Sequence, residues 1–274
     1  LFSSTKNISL MKTNISLSGI AIVLTFLSIS FSSCKKDDIE TVPLETVNAD
    51  IFESVDYGSK IFILDFKTDL TTYPITYLIR SSSKVDGNQI NIKLTDIEKD
   101  EHDNLNISLG AASCTINLGS LADGVYNLQV EVVNTINSGT LTIAEDQIFL
   151  TFSSPQKLTI NHDTINRIPF GTVWGYVGYQ STSNQGLANN FVSGMDALGA
   201  EPTELEPGYY GYFSISDSSN LIQAIDPNYP YYKEFIRDYQ GEANALNEHI
   251  GYYNTEYYNK VDVYINWFWD GTMK

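Results

Sequence analysis

The strongest constraint on the fold is a two-residue period. Between about Asp50 and His162, apolar residues recur at alternate positions in short runs. Ile90, Ile92 and Leu94 alternate with Asn91, Lys93 and Thr95; Tyr126-Leu128-Val130-Val132 and Ile148-Leu150-Phe152 repeat the pattern. Successive side chains on a strand point to opposite faces, so each run is a strand with one buried face. Asp86-Gly87-Asn88, Asp123-Gly124, Asn137-Ser138-Gly139 and Ser153-Ser154-Pro155 supply turns between runs. No window there sustains a helical repeat. About eight short strands at this spacing predict a β-sandwich over residues 50–162.

One segment refines that expectation. Leu121-Ala122-Asp123-Gly124-Val125-Tyr126 places a tyrosine two residues after a turn glycine, at the head of an alternating run. It resembles the late-strand corner of immunoglobulin-like and fibronectin-like modules. The resemblance implies that the Tyr126 hydroxyl bonds back to the turn backbone. The cysteine pair and core tryptophan of antibody domains are missing, which excludes that variant.

The period changes near residue 163. A glycine-rich strand carries Phe170, Trp174 and Tyr176; then Leu187, Phe191, Met195 and Leu198 recur at helical spacing, ended by Gly199. Strands follow at Tyr209–Ile215 and Phe235–Tyr239, a second helical pattern at Ala243, Leu246, Ile250 and Tyr253, and a last strand from Val261 to Trp269. The order β-α-β, β-α-β predicts an α+β domain over residues 163–274, a ferredoxin-like split βαβ.

The front of the chain reads as an address. Lys12 and the serine-diluted apolar run Ile15–Phe31 lead to Phe31-Ser32-Ser33-Cys34, with Met11 the natural start. The run is too short and serine-rich for the ~20 apolar residues of a spanning helix. It reads as a processing segment, an uncleaved anchor being the alternative. Phe31-Ser32-Ser33-Cys34 is similar to a bacterial lipobox, with Phe31 where leucine is usual and Ser33 where glycine or alanine is usual. Lys35-Lys36-Asp37-Asp38-Ile39-Glu40 resembles the export signal of Bacteroidota surface lipoproteins, with Lys36, Asp37 and Asp38 at its centre. The resemblance implies a lipid on Cys34, an outer-membrane location and display on the cell surface. Residues 1–33 are then leader and signal peptide, and residues 34–49 a lipidated cysteine with an acidic tether.

Charge excludes one class of partner. The chain has 16 basic against 33 acidic residues, a net charge of −17. The only charges ahead of Cys34 are Lys6 and Lys12, so their removal takes the mature protein to −19. Nucleic-acid binding needs clustered Lys and Arg against phosphate, so none is expected. With Cys34 on lipid, Cys114 is the one remaining thiol, a small core residue on a strand.

No catalytic signature stands out. His102, His162 and His249 lie apart, and neither Gly-x-Ser-x-Gly nor His-Glu-x-x-His occurs. In Asp96-x-Glu98-x-Asp100-Glu101-x-Asp103, Glu101 stands where a calcium loop needs glycine, so a solvated hairpin tip is expected. No metal or cofactor is implied.

The compositional anomaly is aromatic: residues 163–274 hold 14 of 18 tyrosines and all three tryptophans. Core packing is the first reading of such rings and a sugar or peptide platform the second. Alternation on the last strand turns Val261, Val263, Ile265, Trp267 and Trp269 toward the helices and Tyr264 and Phe268 away. Tyr264, Phe268, Trp174 and Tyr176 are the candidate ligand-binding residues. Three readings remain: a lipid-anchored binding protein for an extracellular glycan or partner protein, a structural component of a cell-surface fibre, and a secreted hydrolase with a sandwich spacer.

Overall fold

The computed structural model describes residues 41–56, 59–69, 73–74, 77–99 and 109–269, and from Thr41 on the chain is one compact unit. Cys34, Lys36, Asp37, Asp38 and His102 lie outside the described residues.

Thirteen strands come first. They are β1 (Thr41–Pro43), β2 (Val47–Asp56), β3 (Ser59–Thr68), β4 (Tyr73–Pro74), β5 (Tyr77–Asp86), β6 (Gln89–Lys99) and β7 (Leu109–Gly110). β8 (Ser113–Gly119), β9 (Gly124–Val132), β10 (Thr135–Ile143), β11 (Gln147–Phe152), β12 (Leu158–Ile160) and β13 (Thr164–Asn166) follow. Ten of them form one path, β12-β2-β3-β8-β5-β6-β9-β10-β11-β13, with β1 added on β6. The pairings β2/β12, β5/β8 and β6/β9 are parallel and the rest antiparallel. The two end strands are successive pieces of one stretch. β12 joins β2, and β13 a few residues later joins β11. Chain continuity therefore forces the sheet to curl into a half-barrel around a single core that includes Ile51, Leu64, Ile90, Leu128 and Leu141.

This corrects the expected fold class. The described residues are mostly strand, with two α-helices, and the β-rich part is one curled mixed sheet rather than an immunoglobulin-like sandwich of two. Alternation identifies strands but does not set which strands pair. Here the parallel contacts β5/β8 and β6/β9 sew together what hairpins alone would leave as separate sheets. The corner bond is present all the same: Tyr126 Oη donates to Ala122 O at 2.8 Å. The tether also ends early. β1 pairs with β6, and Leu44, Val47 and Ala49 are core residues. Pro43 and Glu45 obscure the start of the alternation Val47-Ala49-Ile51.

The rest of the chain adds β14 (Thr172–Tyr179), a helix (Gln185–Ala197), β15 (Ala200–Pro202), β16 (Gly208–Tyr209), β17 (Ser214–Ile215) and β18 (Leu221–Ile222). β19 (Tyr231–Tyr239), a second helix (Ala243–Glu256) and β20 (Val261–Trp267) complete it. β15-β19-β14-β20 is an antiparallel sheet. The helices cover one of its faces, burying Phe191, Met195, Leu246 and Tyr253 against Val173, Val177 and Phe235. The first helix follows a Ser181-capped 3₁₀ turn, and Gly199, at φ +91°, ends it in the left-handed region. A self-standing ferredoxin-like domain is not what forms. The segment between β15 and β19 folds into its own sheet, β16-β17-β18, and packs on the opposite face of the four-stranded sheet and on β2. That segment is polar and short-runned, so periodicity does not reveal it as a layer.

Candidate functional site

Register on the four-stranded sheet decides where the aromatic residues go. β14 and β20 pair with Tyr176 opposite Tyr264, Trp174 opposite Asn266 and Gly178 opposite Asp262. These residues share the face turned away from the helices. The Tyr176 and Tyr264 rings stack at 4.7 Å with 14° between planes. The chain's own segment 205–229 covers this face. Leu205, Tyr210, Phe213, Ile215 and Leu221 pack on Trp174, Ile236 and Phe268. Gln223 Nε2 donates to Gly175 O at 2.9 Å, and the Asp226 N–H donates to Tyr176 Oη at 3.0 Å. Tyr229 lies flat on Gly178, where a Cβ would fall 2.5 Å from its ring. Trp174, Tyr176 and Phe268 are consequently buried, and Tyr264 alone of the four is exposed, at 38%.

The four candidates split into two places. Tyr176 and Tyr264 belong to a polar-tipped cluster with Tyr229. The Tyr229 hydroxyl donates to Asp262 and lies 3.4 Å from that of Tyr264. Burial and the Asp262 carboxylate push the Tyr229 phenol upward, and burial raises Glu234 at the cluster's edge. The Tyr229 shift keeps a neutral, hydrogen-bonding phenol there at neutral pH.

Trp174 and Phe268 instead line a cleft of about 180 Å³ with Ser54, Tyr212, Asn266 and Trp267. β2 supplies Ser54, β14 Trp174, β20 Asn266 and Trp267, and the covering segment Tyr212. Tyr212 leans edge-on against Phe52 at 5.2 Å and lies 5.8 Å from Trp174. Its hydroxyl bonds Ser54, and burial raises its pKa. Gly211 makes the approach possible. Its φ is +85°, and a Cβ there would fall 2.5 Å from that of Phe52. Phe170 stacks on Phe268 at 5.6 Å, and Lys60 Nζ sits 4.5 and 5.0 Å from the two ring centres. Burial lowers the Lys60 pKa, partly offset by Glu53. The cleft thus offers four aromatic rings, an amide, a pair of hydroxyls and a nearby ammonium. Tyr212 and Ser54 were not legible as site residues. The one signal was Tyr209-Tyr210-Gly211-Tyr212, too many tyrosines for one core.

The remaining candidates are structural in their surroundings. His249 Nε2 is 2.9 Å from Phe191 O, and its ring stacks on Phe191. His162 Nδ1 is 2.8 Å from Asp50, and its ring stacks on Tyr209 at 3.6 Å. Burial pushes the Tyr209 phenol up to about 12, aided by the charges of Asp50 and Asp65. The Cys114 thiol is pushed up to about 11 by burial, so it is a poor nucleophile at neutral pH. Asp96 and Glu98 face Arg80, at 3.4 and 2.5 Å. Among the described residues no three His, Cys, Asp or Glu side chains converge as metal ligands.

No family model, curated protein or solved structure matches this chain.

Proposed function

We propose that this is a lipid-anchored cell-surface protein that binds an extracellular glycan or partner protein, without turnover, through the cleft between Tyr212, Trp174 and Phe268. The anchor rests on the lipobox-like Phe31-Ser32-Ser33-Cys34 and the acidic signal after it. The observation that carries the binding reading is the cleft. Aromatic rings there surround the Asn266 amide and the Ser54–Tyr212 hydroxyl pair. Rings with hydrogen-bonding neighbours suit sugar faces and aromatic or aliphatic side chains. At about 180 Å³ it is smaller than the ~300–1,000 Å³ pockets that enclose whole small molecules. It therefore takes one ring or one side chain of a ligand that continues across the surface. The charge of −19 on the mature chain selects neutral or basic ligands.

The test is a glycan array and a peptide panel probed with wild type, Tyr212→Ala and Asn266→Ala. Each variant is expected to lose about 1–2 kcal/mol of binding with an unchanged melt. Variants that bind as wild type does would move the site elsewhere. A wild type that binds nothing on either panel removes the reading.

A further inference from the structure

The half-barrel has one long edge that is unpaired among the described residues. β5 pairs with β6 from Tyr77 to Asp86 on one side. On its other side β8 meets it at a single position, Leu78 opposite Ser113. Beyond that point β8 follows β3 and β5 follows β6, so the two edges part. Every residue from Arg80 to Asp86 is exposed. No described strand pairs with this stretch on that side.

The direction of the free backbone groups follows from the hairpin. Gly87, at φ +57°, and Asn88 form a two-residue turn, so Asp86 and Gln89 are its closing pair. In antiparallel pairing, hydrogen-bonded residues alternate along a strand. Asp86, Lys84 and Ser82 therefore bond to β6, while the N–H and C=O groups of Ser81, Ser83 and Val85 point outward.

We propose that this edge pairs antiparallel with the β5 edge of a second copy, about a two-fold axis at Ser83. In that register Ser83 meets Ser83 of the other copy, and Ser81 meets Val85, with all outward N–H and C=O groups satisfied. The side chains agree with it. Arg80 falls opposite Asp86 of the other copy, once on each side of the axis, so each would add this contact to the exposed ones it already makes, Arg80 with Asp96 and Glu98 and Asp86 with Lys84. Ser82 falls opposite Lys84, so no two like charges stand directly opposed. Slipping the register by two residues destroys both ion pairs. The three serines add no bulk that would hold the strands apart. Natural edges are normally blunted by proline, bulges or charges such as lysine. β5 carries no proline, its bulge with β6 sits at Arg80 and leaves Ser81–Asp86 regular, and its one lysine there, Lys84, is held by Asp86. A contact that uses the same patch on both partners closes at two and does not propagate. The product is a dimer, not a fibre.

The full chain with Ser83→Cys tests this under mild oxidation. A hydrogen-bonded antiparallel pair brings Cα atoms to ~5.5 Å, inside disulfide range. Ser83→Cys should form a covalent dimer faster than Ile136→Cys, placed at an exposed position on β10 and carrying the same native cysteines. Ser83→Pro supplies the second arm. The Ser83 N–H points away from β6, so proline spares the β5–β6 ladder. It should abolish the wild-type dimer in sedimentation velocity with the fold intact by circular dichroism. Equal cross-linking of the two cysteine variants, or a dimer that survives a folded Ser83→Pro, overturns the proposal.

Discussion

Arg167 holds Glu53 across 114 residues of chain, with Nε 2.9 Å and Nη2 2.8 Å from Glu53 Oε1. Glu53 is buried at 4% exposure, in a strand that otherwise turns apolar residues inward. The same guanidinium donates to Asp123 Oδ1 at 2.9 Å and to Ala144 O at 2.6 Å. Lys60 Nζ lies 3.7 Å from the second Glu53 oxygen. One arginine thus ties β2, the turn before β9, the end of β10 and the strand leading into the small sheet.

Removing one partner of such a pair leaves a buried charge without compensation. Arg167→Ala is expected to cost about 3–5 kcal/mol, and Arg167→Leu with Glu53→Leu much less than either change alone. Urea unfolding of the three variants decides it. A double variant as unstable as Arg167→Ala would mean that packing, not charge, dominates there.

Two tyrosines make the same bond. Tyr126 Oη donates to Ala122 O at 2.8 Å, and Tyr210 Oη to Glu206 O at 2.9 Å, each four residues back. Each follows a glycine by two positions, Gly124 at φ +153° and Gly208 at φ +141°. Tyr126→Phe and Tyr210→Phe should each cost about 1 kcal/mol, since each strips a partly buried carbonyl of its donor. A loss at Tyr126 alone would show that the second corner does not pin the covering segment.

The contrast between these corners shows what was legible. Turn-Gly-x-Tyr is a local pattern, and its bond is within four residues, so Tyr126 could be read directly. Ile90-Ile92-Leu94 likewise declares a strand and its buried face. Strand partners are another matter: Leu78 beside Ser113, or Gln89 beside Asn127, is a non-local choice that alternation leaves open. The same limit hid the covering segment. Leu205, Phe213, Ile215 and Leu221 are too sparse among polar residues to show a period, yet they turn an expected open aromatic face into a core. The cleft exists because Tyr212 arrives from that segment.

The anchor makes its own prediction. Cys34→Ala should leave unprocessed precursor or release the protein from membranes, because under the proposed reading one lipidated residue is the whole attachment. A variant that stays with membranes through high-salt and carbonate washes would sink the lipoprotein reading. Replacing Lys36, Asp37 and Asp38 by alanine should keep the lipid and lose cleavage by protease added to intact cells.

The sharpest contrast lies within the aromatic candidates themselves. Phe268 is buried between Phe170, Trp174 and the covering segment, and Tyr264 lies at the margin with its ring stacked on Tyr176. Phe268→Ala empties a core position, and such truncations cost about 3–5 kcal/mol. Tyr264→Ala gives up one stacked contact and two long hydroxyl approaches of 3.4 and 3.5 Å. Its expected cost is about 0.5–1.5 kcal/mol. Thermal or urea melts should therefore rank Phe268→Ala far below Tyr264→Ala and Tyr212→Ala. Binding then separates the two places on the face. If the ligand sits in the cleft, Tyr212→Ala weakens it while Tyr264→Ala does not. The opposite pattern would move the site to the Tyr176–Tyr229–Tyr264 cluster, where Asp226 and Asp262 would select a cationic ligand.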